Sequence, residues 1–337
     1  MANEEREIDQ PCSVPEEVVY AAWETGDVDV VRAWLDDGGA ADLEERIFII
    51  HPRQDRNIAM GTLLELACQS KQPSAITEIL LDAGADYDIH HLVKAISSGN
   101  VYAVLALVPR VDVSQKFASW TPLHVASAGG SIRGQMALPN QVEIVHALLE
   151  AGALVNGRTR PWGLAVINRD RPCEQTPLMM AAKQGFTSIG LVKWLLHYGA
   201  AFAAVDTAGH TAHFHANELL QNSQIWNDPS TKAFAWNQEL DREIPCRAPG
   251  VVEDMLALLH GVEAAGSWKR YVRKPRKDLF TFRRLVERGR AAPPDEGVLA
   301  RLFPGSRARG FPDVLFWKVL SFWRSERDAW RHVLRIF

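Results

Sequence analysis

Apolar residues recur along this chain in pairs of short stretches, each with a spacing of three or four residues. In the first pair, apolar positions within residues 18–23 precede Gly26, and a second set follows within residues 28–35. Such spacing places the apolar side chains on one face of a helix. Gly38-Gly39 follows the second set, and glycine readily takes the left-handed conformation that ends a helix. From residue 15, the pattern therefore predicts two short helices joined by a glycine turn.

The paired pattern continues through most of the chain. Two further pairs lie within residues 61–86 and 91–107, and the latter has Gly99-Asn100 as the turn between its stretches. The pattern of a second helix is also present at residues 142–149 and at residues 251–259. The chain is thus predicted to consist of repeated helix–turn–helix units, each of which buries its apolar face against its neighbours.

A recurring hexapeptide marks the helix starts. It reads TPLHVA at Thr121–Ala126, TPLMMA at Thr176–Ala181 and, more weakly, TAHFHA at Thr211–Ala216. Threonine caps a helix, and proline suits the first helical turn, where no N–H is needed. The second and third copies begin 35 residues apart, whereas the first and second begin 55 apart. The surplus is placed near residues 131–140 and 157–173, which are predicted to be insertions.

These features resemble the ankyrin repeat, a unit of about 33 residues that carries a TPLH motif. Asp206–Thr211 is similar to the D-x-x-G-x-T hairpin of that family. The resemblance covers residues 15–266 and implies an all-α solenoid of roughly six helix–turn–helix repeats with short β-hairpin loops. A polar stretch at residues 221–249 interrupts the sixth unit and is expected to be a surface insertion, and residues 1–14 are expected to be a disordered lead-in.

Composition restricts the protein class without changing this prediction. The chain has 337 residues, of which 47% are hydrophobic and 23% charged, as in ordinary folded proteins. Its four cysteines are far apart and form no C-x-x-C pair, which favours a reducing compartment. The polar, acidic N-terminus does not read as a secretory peptide, and no apolar run approaches a membrane span. A cytoplasmic or nuclear location is therefore expected.

Common catalytic motifs are absent from the sequence, including G-x-S-x-G, the P-loop, G-x-G-x-x-G and H-E-x-x-H. His210, His213 and His215 cluster near the last hexapeptide, but zinc needs three or four ligands, and no cysteine or second histidine pair lies nearby in sequence. These histidines are interpreted as hairpin and helix-start residues of a degenerate repeat. We therefore expect no enzyme activity, no cofactor and no metal.

The ankyrin resemblance implies a protein partner, bound by the hairpin tips and the exposed side of the first helices. By register, the candidate partner-binding residues are Phe117, Ala118, Trp120, Ala128, Gly129, Arg158, Arg160, Trp162, Lys183, Gln184, Thr207, Ala208 and His210. Phe117 and Trp120 stand out because the repeat core does not need aromatic rings there, and tryptophan often dominates binding. Two interpretations stay open: these rings contact a partner, or the insertion at residues 157–173 covers them. The resemblance also implies that His124 hydrogen-bonds the backbone of a neighbouring hairpin.

The C-terminal extension, residues 267–337, differs from the body in charge. Residues 268–337 contain 18 basic and 7 acidic residues, whereas residues 1–267 contain 19 and 34. Lys269–Lys277 concentrates this positive charge just before a short amphipathic pattern. Three interpretations stay open for it: nucleic-acid binding, nuclear import, or a solvated face that docks on the acidic body. Nucleic acid is the least favoured, because only Trp268 and Tyr271 are available for stacking on bases.

The segment Phe311–Trp323 resembles the opening helix of an F-box, the module that joins substrate receptors to the adaptor of cullin-RING ubiquitin ligases. The residues that match its docking pattern are Pro312, Leu315, Phe316, Val319 and Leu320. Phe311 and Val314 depart from the family pattern, and a SOCS box fits less well. The alternative is an amphipathic helix that packs on the last repeat.

The sequence as a whole predicts a non-catalytic module that binds one or more proteins, alone or within a complex. One alternative is the substrate receptor of a ubiquitin ligase, with the F-box-like segment recruiting the adaptor. A second alternative is a structural subunit of a larger assembly.

Overall fold

The computed structural model describes residues 14–39, 44, 47–50, 57–70, 72, 75–129, 140–159, 174–183, 189–227 and 249–291. By its internal contacts the chain divides into two compact units, residues 1–256 and 257–337. In the described residues the structure is mainly helical, as the sequence predicts. No helix among them is both long enough and apolar enough to cross a membrane.

The helices of the first unit occur in consecutive pairs. In chain order they are α1 (Glu16–Tyr20, continued by a π-helical turn at Ala21–Thr25), α2 (Val28–Asp36), α3 (Leu63–Gln69), α4 (Ile76–Asp82), α5 (Ile89–Ser98), α6 (Val101–Leu107), α7 (Pro122–Ser127), α8 (Gln141–Glu150), α9 (Pro177–Lys183), α10 (Ile189–His197), α11 (Ala212–Asn227) and α12 (Pro249–Ala265). The boundary between the two units falls within α12. Strands β1 (Ile47–Ile50) and β2 (Asn57–Gly61) pair in an antiparallel hairpin before α3.

The pairs stack in two layers. The first helices α3, α5, α7, α9 and α11 contact one another in series, and so do the second helices α4, α6, α8 and α10. Large apolar side chains at the centre of these contacts, including Leu66, Leu92, Leu123 and Leu148, are fully buried. Because each short helix has little apolar area of its own, the contact with its neighbours supplies most of its stability. This arrangement is the predicted solenoid.

Asn100 shows how a tight turn also joins two neighbouring pairs. Gly99 takes a left-handed conformation with a φ of 72° at the end of α5, where glycine has no steric penalty. The Asn100 Oδ1 then accepts the N–H of Ala103 at 3.1 Å and caps α6. Its Nδ2 donates to the carbonyl of Ala67 at 3.0 Å, although Ala67 belongs to the preceding pair. The buried Asn100 side chain therefore caps the N-terminus of α6 and also binds a backbone carbonyl of α3.

His124 forms a second link between pairs, and it confirms the role that the family resemblance implies. Its ring is completely buried, with Nδ1 2.7 Å from the Thr121 hydroxyl and Nε2 3.0 Å from the carbonyl of Gln175. Gln175 precedes the next helix start, so the ring joins the N-terminus of α7 to the following hairpin. Burial lowers the pKa of His124 to about 4, although hydrogen bonds to the backbone of Gln175 and Gly157 oppose this shift.

Helix α11 is longer than the sequence predicts. It runs to Asn227, so residues 221–227 are helical, whereas the pattern assigned them to a surface insertion. That helix has little amphipathic character, and this is why periodicity did not reveal it. The rest of the predicted insertion, residues 228–248, lies outside the described residues. So do residues 1–13, residues 131–139 and the F-box-like segment.

In the second unit, a single helix α13 (Trp268–Glu287) contains both the basic run and the amphipathic pattern that follows it. The hydroxyl of Ser267 accepts the N–H of Arg270 at 3.3 Å and caps the helix. Pro275 lies inside the helix, where it removes one backbone donor. The basic run is therefore the first half of a helix and not a segment separate from it.

We expect the free energy of unfolding to fall as the pH drops from about 6.5 to 4. In this range His124 is protonated in the unfolded chain and neutral in the folded chain. The difference between a pKa near 4 and the ordinary value of 6.5 corresponds to a stabilisation of the folded state by about 3 kcal/mol. This stabilisation is present above pH 6.5 and is lost towards pH 4. Urea unfolding of the wild type and of His124→Asn across this range measures the difference between their pH slopes. The variant should be less stable at pH 7 and less sensitive to pH. Parallel profiles for the two proteins would contradict this assignment.

Candidate functional site

A tight hairpin presents two of the predicted aromatic residues next to α7. The N–H of Phe117 donates to the carbonyl of Trp120 at 2.9 Å, and the N–H of Trp120 donates to the carbonyl of Phe117 at 3.1 Å. Ala118 at the tip is exposed and has a φ of 55°. This left-handed conformation costs a non-glycine residue about 1–2 kcal/mol, so the surrounding hydrogen bonds must hold it. Phe117 and Trp120 are both half-buried, which leaves part of each ring facing solvent.

The preceding repeat adds two further rings, one that contacts this hairpin and one at the equivalent helix start. His90 on α5 stacks on Phe117, with ring centroids 5.2 Å apart and an interplanar angle of 20°. Tyr87 directly precedes the N-cap of α5, as Trp120 precedes the N-cap of α7, and it is 43% exposed. Tyr87, His90, Phe117, Ala118 and Trp120 are called the hairpin surface below.

Sequence reasoning missed Tyr87 and His90 because the third repeat has no TPLH motif. The structure shows that Asp88 and His91 replace it: the Asp88 carboxylate accepts the N–H of His91 at 3.3 Å, and the N–H of Asp88 donates to His91 Nδ1 at 3.2 Å. The pair Thr121 and His124 makes the same reciprocal contacts. Reading Asp88 as a helix cap would have set the register and identified Tyr87 as the equivalent of Trp120.

A buried ion pair supports His90 from below. The Glu65 carboxylate accepts from Lys94 Nζ at 2.7 Å, and its other oxygen lies 3.4 Å from His90 Nδ1. Burial and the positive charge of Lys94 lower the pKa of His90, although Glu65 and Asp88 act in the opposite direction. Gly61 makes room for the carboxylate, because a Cβ at that position would collide with it. The ring that stacks on Phe117 is thus favoured in its neutral form and contacts the partly buried ion pair of Glu65 and Lys94.

The other predicted partner-binding residues lie in several environments. Thr207 and Ala208 are exposed on the next described hairpin, and Lys183 and His210 are half-buried. Arg160, Trp162 and Gln184 lie outside the described residues. Ala128 is only 1% exposed and Gly129 is buried, because both end α7 inside the helix stack. The expectation that these two contact a partner is therefore corrected, and they are not part of the hairpin surface.

Arg158 connects three segments of backbone. Its Nη1 donates to the carbonyl of Val205 at 2.8 Å and to that of Glu174 at 3.1 Å, while its own carbonyl accepts from Lys116 Nζ at 2.7 Å. Thr159 beside it donates its N–H to the carbonyl of Gln175 at 3.0 Å. Thr159 and Gln175, which flank the undescribed residues 160–173, are therefore a hydrogen-bonded pair, and the described contacts give Arg158 a structural role in holding successive hairpins together.

Asp206 gathers a second polar cluster at the start of α11. Its Oδ1 accepts the N–H groups of Ala208 and His210, both at 2.9 Å, and its Oδ2 lies 2.9 Å from His215 Nε2. Burial alone would raise the pKa of Asp206, but these hydrogen bonds outweigh it and the pKa lies below its usual value. Burial and the charge of Lys183 lower the pKa of His215. At neutral pH the cluster therefore holds a carboxylate beside a neutral imidazole.

The sequence did not reveal this cluster as a unit. The sequence analysis considered His210, His213 and His215 as possible metal ligands. It used Asp206 only as part of the hairpin motif. Ligand atoms of Asp206, His210 and His215 all lie within 4.8 Å of one another. The sequence signal for this cluster was Asp206, the acidic residue of the D-x-x-G-x-T hairpin motif. Its carboxylate contacts His215 on α11, the helix that directly follows the hairpin.

Comparison with protein families identifies the repeats directly. The family model described as "Ankyrin repeat" matches residues 119–160 and 173–207. These ranges contain the first two hexapeptides and end at Thr207, the second residue of the hairpin at Asp206. A comparison with curated proteins gave no match.

We expect Arg158→Ala to lower the free energy of unfolding by about 1–2 kcal/mol, because two backbone carbonyls lose their charged donor. Arg32→Ala is the matched control, since the Arg32 side chain is 59% exposed and its partner at 3.6 Å, Asp29, is 93% exposed. That change should stay within about 0.5 kcal/mol. Equilibrium urea unfolding measures both variants. Equal values for the two would show that the Arg158 contacts contribute nothing to the fold.

Proposed function

Because this chain is an ankyrin-repeat protein, we propose that it binds a partner protein through the hairpin surface and performs no chemistry of its own. The observation that carries the proposal is the set of partly exposed rings at Tyr87, His90, Phe117 and Trp120. They lie on two successive repeats, at positions where the buried core does not require them. Ankyrin repeats in general are protein-interaction modules, and this surface is our proposal for the face that this chain uses.

Aromatic rings at such positions suit protein recognition for two physical reasons. Each ring removes a large apolar area from water on binding, and the polar atoms of tyrosine, histidine and tryptophan give direction to the contact. Rings that are already fixed lose little conformational entropy when a partner arrives. The stacking of His90 on Phe117, and the ion pair beneath His90, supply that rigidity.

The hairpin two repeats further along, which precedes α11, extends the proposed surface along the solenoid. Thr207 and Ala208 are exposed at its tip, and Lys183 lies half-buried at the end of α9. Arg160, Trp162 and Gln184 remain predictions from register alone. A partner that contacts both hairpins would be held by shape and apolar contact at Phe117, with polar contacts further along.

The ubiquitin-ligase alternative depends on Phe311–Trp323, which lies outside the described residues. It stays a hypothesis supported by sequence, as does the structural-subunit alternative. The positive charge of residues 268–337 is compatible with either, because it favours contact with an acidic partner.

We expect Phe117→Asp to weaken capture of the partner at least tenfold, a loss of about 1.4 kcal/mol, because a charge replaces a buried ring at the interface. Tyr102→Asp is the matched control: Tyr102 is 56% exposed but lies on α6, in the layer of second helices. Quantitative affinity purification from cells compares wild type and both variants, with thermal unfolding to show that each is folded. Specific partners lost equally from both variants, or from neither, would contradict the proposal.

For the ligase alternative, we expect the double substitution Leu315→Asp with Leu320→Asp to abolish co-purification of an adaptor or cullin subunit while partner capture persists. Two buried charges would disrupt any apolar docking helix. The same purification, probed for ligase subunits, measures this directly. If the wild type brings down no such subunit, the alternative is wrong.

A further inference from the structure

We propose that Asp206, His210 and His215 form a metal site that takes a zinc ion at the junction of the last described hairpin and α11. The first reason is their register. Equivalent positions in the three hexapeptide repeats hold Val125, Met180 and His215. The position before each threonine holds Trp120, Gln175 and His210.

Both imidazoles therefore occur only in the third of these repeats, where they meet a carboxylate. The equivalent of Asp206 in the first of the three is Lys116, so that repeat has none of the three groups. Val125 and Met180 are buried core residues, 1% and 5% exposed. Replacing such a residue by a histidine places a polar ring in the core, which costs free energy unless the ring has a partner.

The second reason is geometry. All three ligand atoms lie within 4.8 Å of one another, and Asp206 Oδ2 is 2.9 Å from His215 Nε2. Ligand atoms about 2.0–2.2 Å from a tetrahedral zinc ion are about 3.3–3.6 Å apart. Zinc would therefore insert by a small opening of the Asp206–His215 contact and an inward movement of the half-buried His210 ring. Water would take the fourth position.

The third reason is the arrangement of groups behind the ligands. Asp206 Oδ1 is fixed by two backbone N–H groups, which leaves Oδ2 to face His215. The other ring nitrogen of His215, Nδ1, is buried without a hydrogen bond, and the Glu218 carboxylate lies 3.8 Å from it. Metal-bound histidines commonly donate their second N–H to a carboxylate, which fixes the ring and strengthens the ligand. A short movement of the exposed Glu218 side chain completes that contact.

The ligand chemistry selects the metal. Two imidazole nitrogens and one carboxylate oxygen suit zinc and similar transition ions, whereas calcium and magnesium prefer sites made of oxygen atoms. The two carboxylates of Asp206 and Glu218 carry more charge than the ammonium of Lys183, which interacts with both. Without a metal, Asp206 and His215 would serve only as a clamp on the hairpin. Such a clamp needs the His210 ring only for its stacking on Phe214, with centroids 3.7 Å apart, and for its edge-on contact with His215. Only the metal site needs a His210 nitrogen as a ligand, and this difference separates the two accounts.

Isothermal titration of the full chain with zinc chloride, after treatment with a chelator, tests the site. We expect one zinc ion per chain at this site and at least tenfold weaker binding in His210→Gln and in Asp206→Asn. His197→Gln is the matched control, because it removes an exposed histidine on α10 that is outside the cluster. Its affinity should equal that of the wild type. Thermal unfolding without metal shows that each variant is folded.

A second readout uses cobalt in place of zinc. Tetrahedral cobalt absorbs visible light, so the wild type and His197→Gln should give the same spectrum and His210→Gln should lose it. The proposal is wrong if the wild type binds no zinc. It is also wrong if His210→Gln, folded, binds zinc as tightly as the wild type, because the ion then lies elsewhere. This test involves no partner protein, so its result is independent of the function proposed above.

Discussion

The repeats of this protein depend on buried polar groups that join the start of one helix to the backbone of a neighbouring unit. The ring of His124 is the clearest case: it contacts the cap of its own helix and the carbonyl of Gln175 in the following hairpin. Asn100 makes a comparable link through the carbonyl of Ala67. Apolar packing alone would hold short helices together without fixing their register. A hydrogen bond in a dry interior fixes it, because leaving either group unpaired is costly.

The last described hairpin follows a different rule. Met179 replaces histidine in the second hexapeptide, and its sulfur only receives the N–H of Thr176 at 3.4 Å, within its own helix start. No imidazole at that position then reaches the next hairpin. The hairpin is instead held from the opposite side, by Asp206 and the buried His215 of the helix that follows. The loss of one histidine and the gain of two others thus belong to one change in how neighbouring repeats are joined.

The sequence predicted the parts of the fold that follow from periodicity and caps. TPLH at Thr121 identified the register, the helix pairs and the role of His124, because a capped helix start is a local property of the chain. It could not identify His90 or Asp206 as site residues, since their importance depends on contacts with residues in other elements. Arg158 shows the same limit: register made it a candidate for partner binding, and its hydrogen bonds to the backbone carbonyls of Val205 and Glu174 could not be read from the sequence. Register placed Ala128 near the binding face, but burial in the stack removes it.

The hairpin surface also depends on contacts between side chains of neighbouring repeats. Because the Glu65 carboxylate, paired with Lys94, also contacts the half-buried His90 ring, the ring of Phe117 stacks on a side chain held in place, and the exposed Ala118 lies at the tip of a closed hairpin. Photo-crosslinking from a benzophenone side chain at position 118 tests this account most directly, with the same group at Leu105, 54% exposed on α6, as comparison. The account predicts that the partner crosslinks from position 118 and not from position 105. Crosslinking from position 105 alone would contradict it.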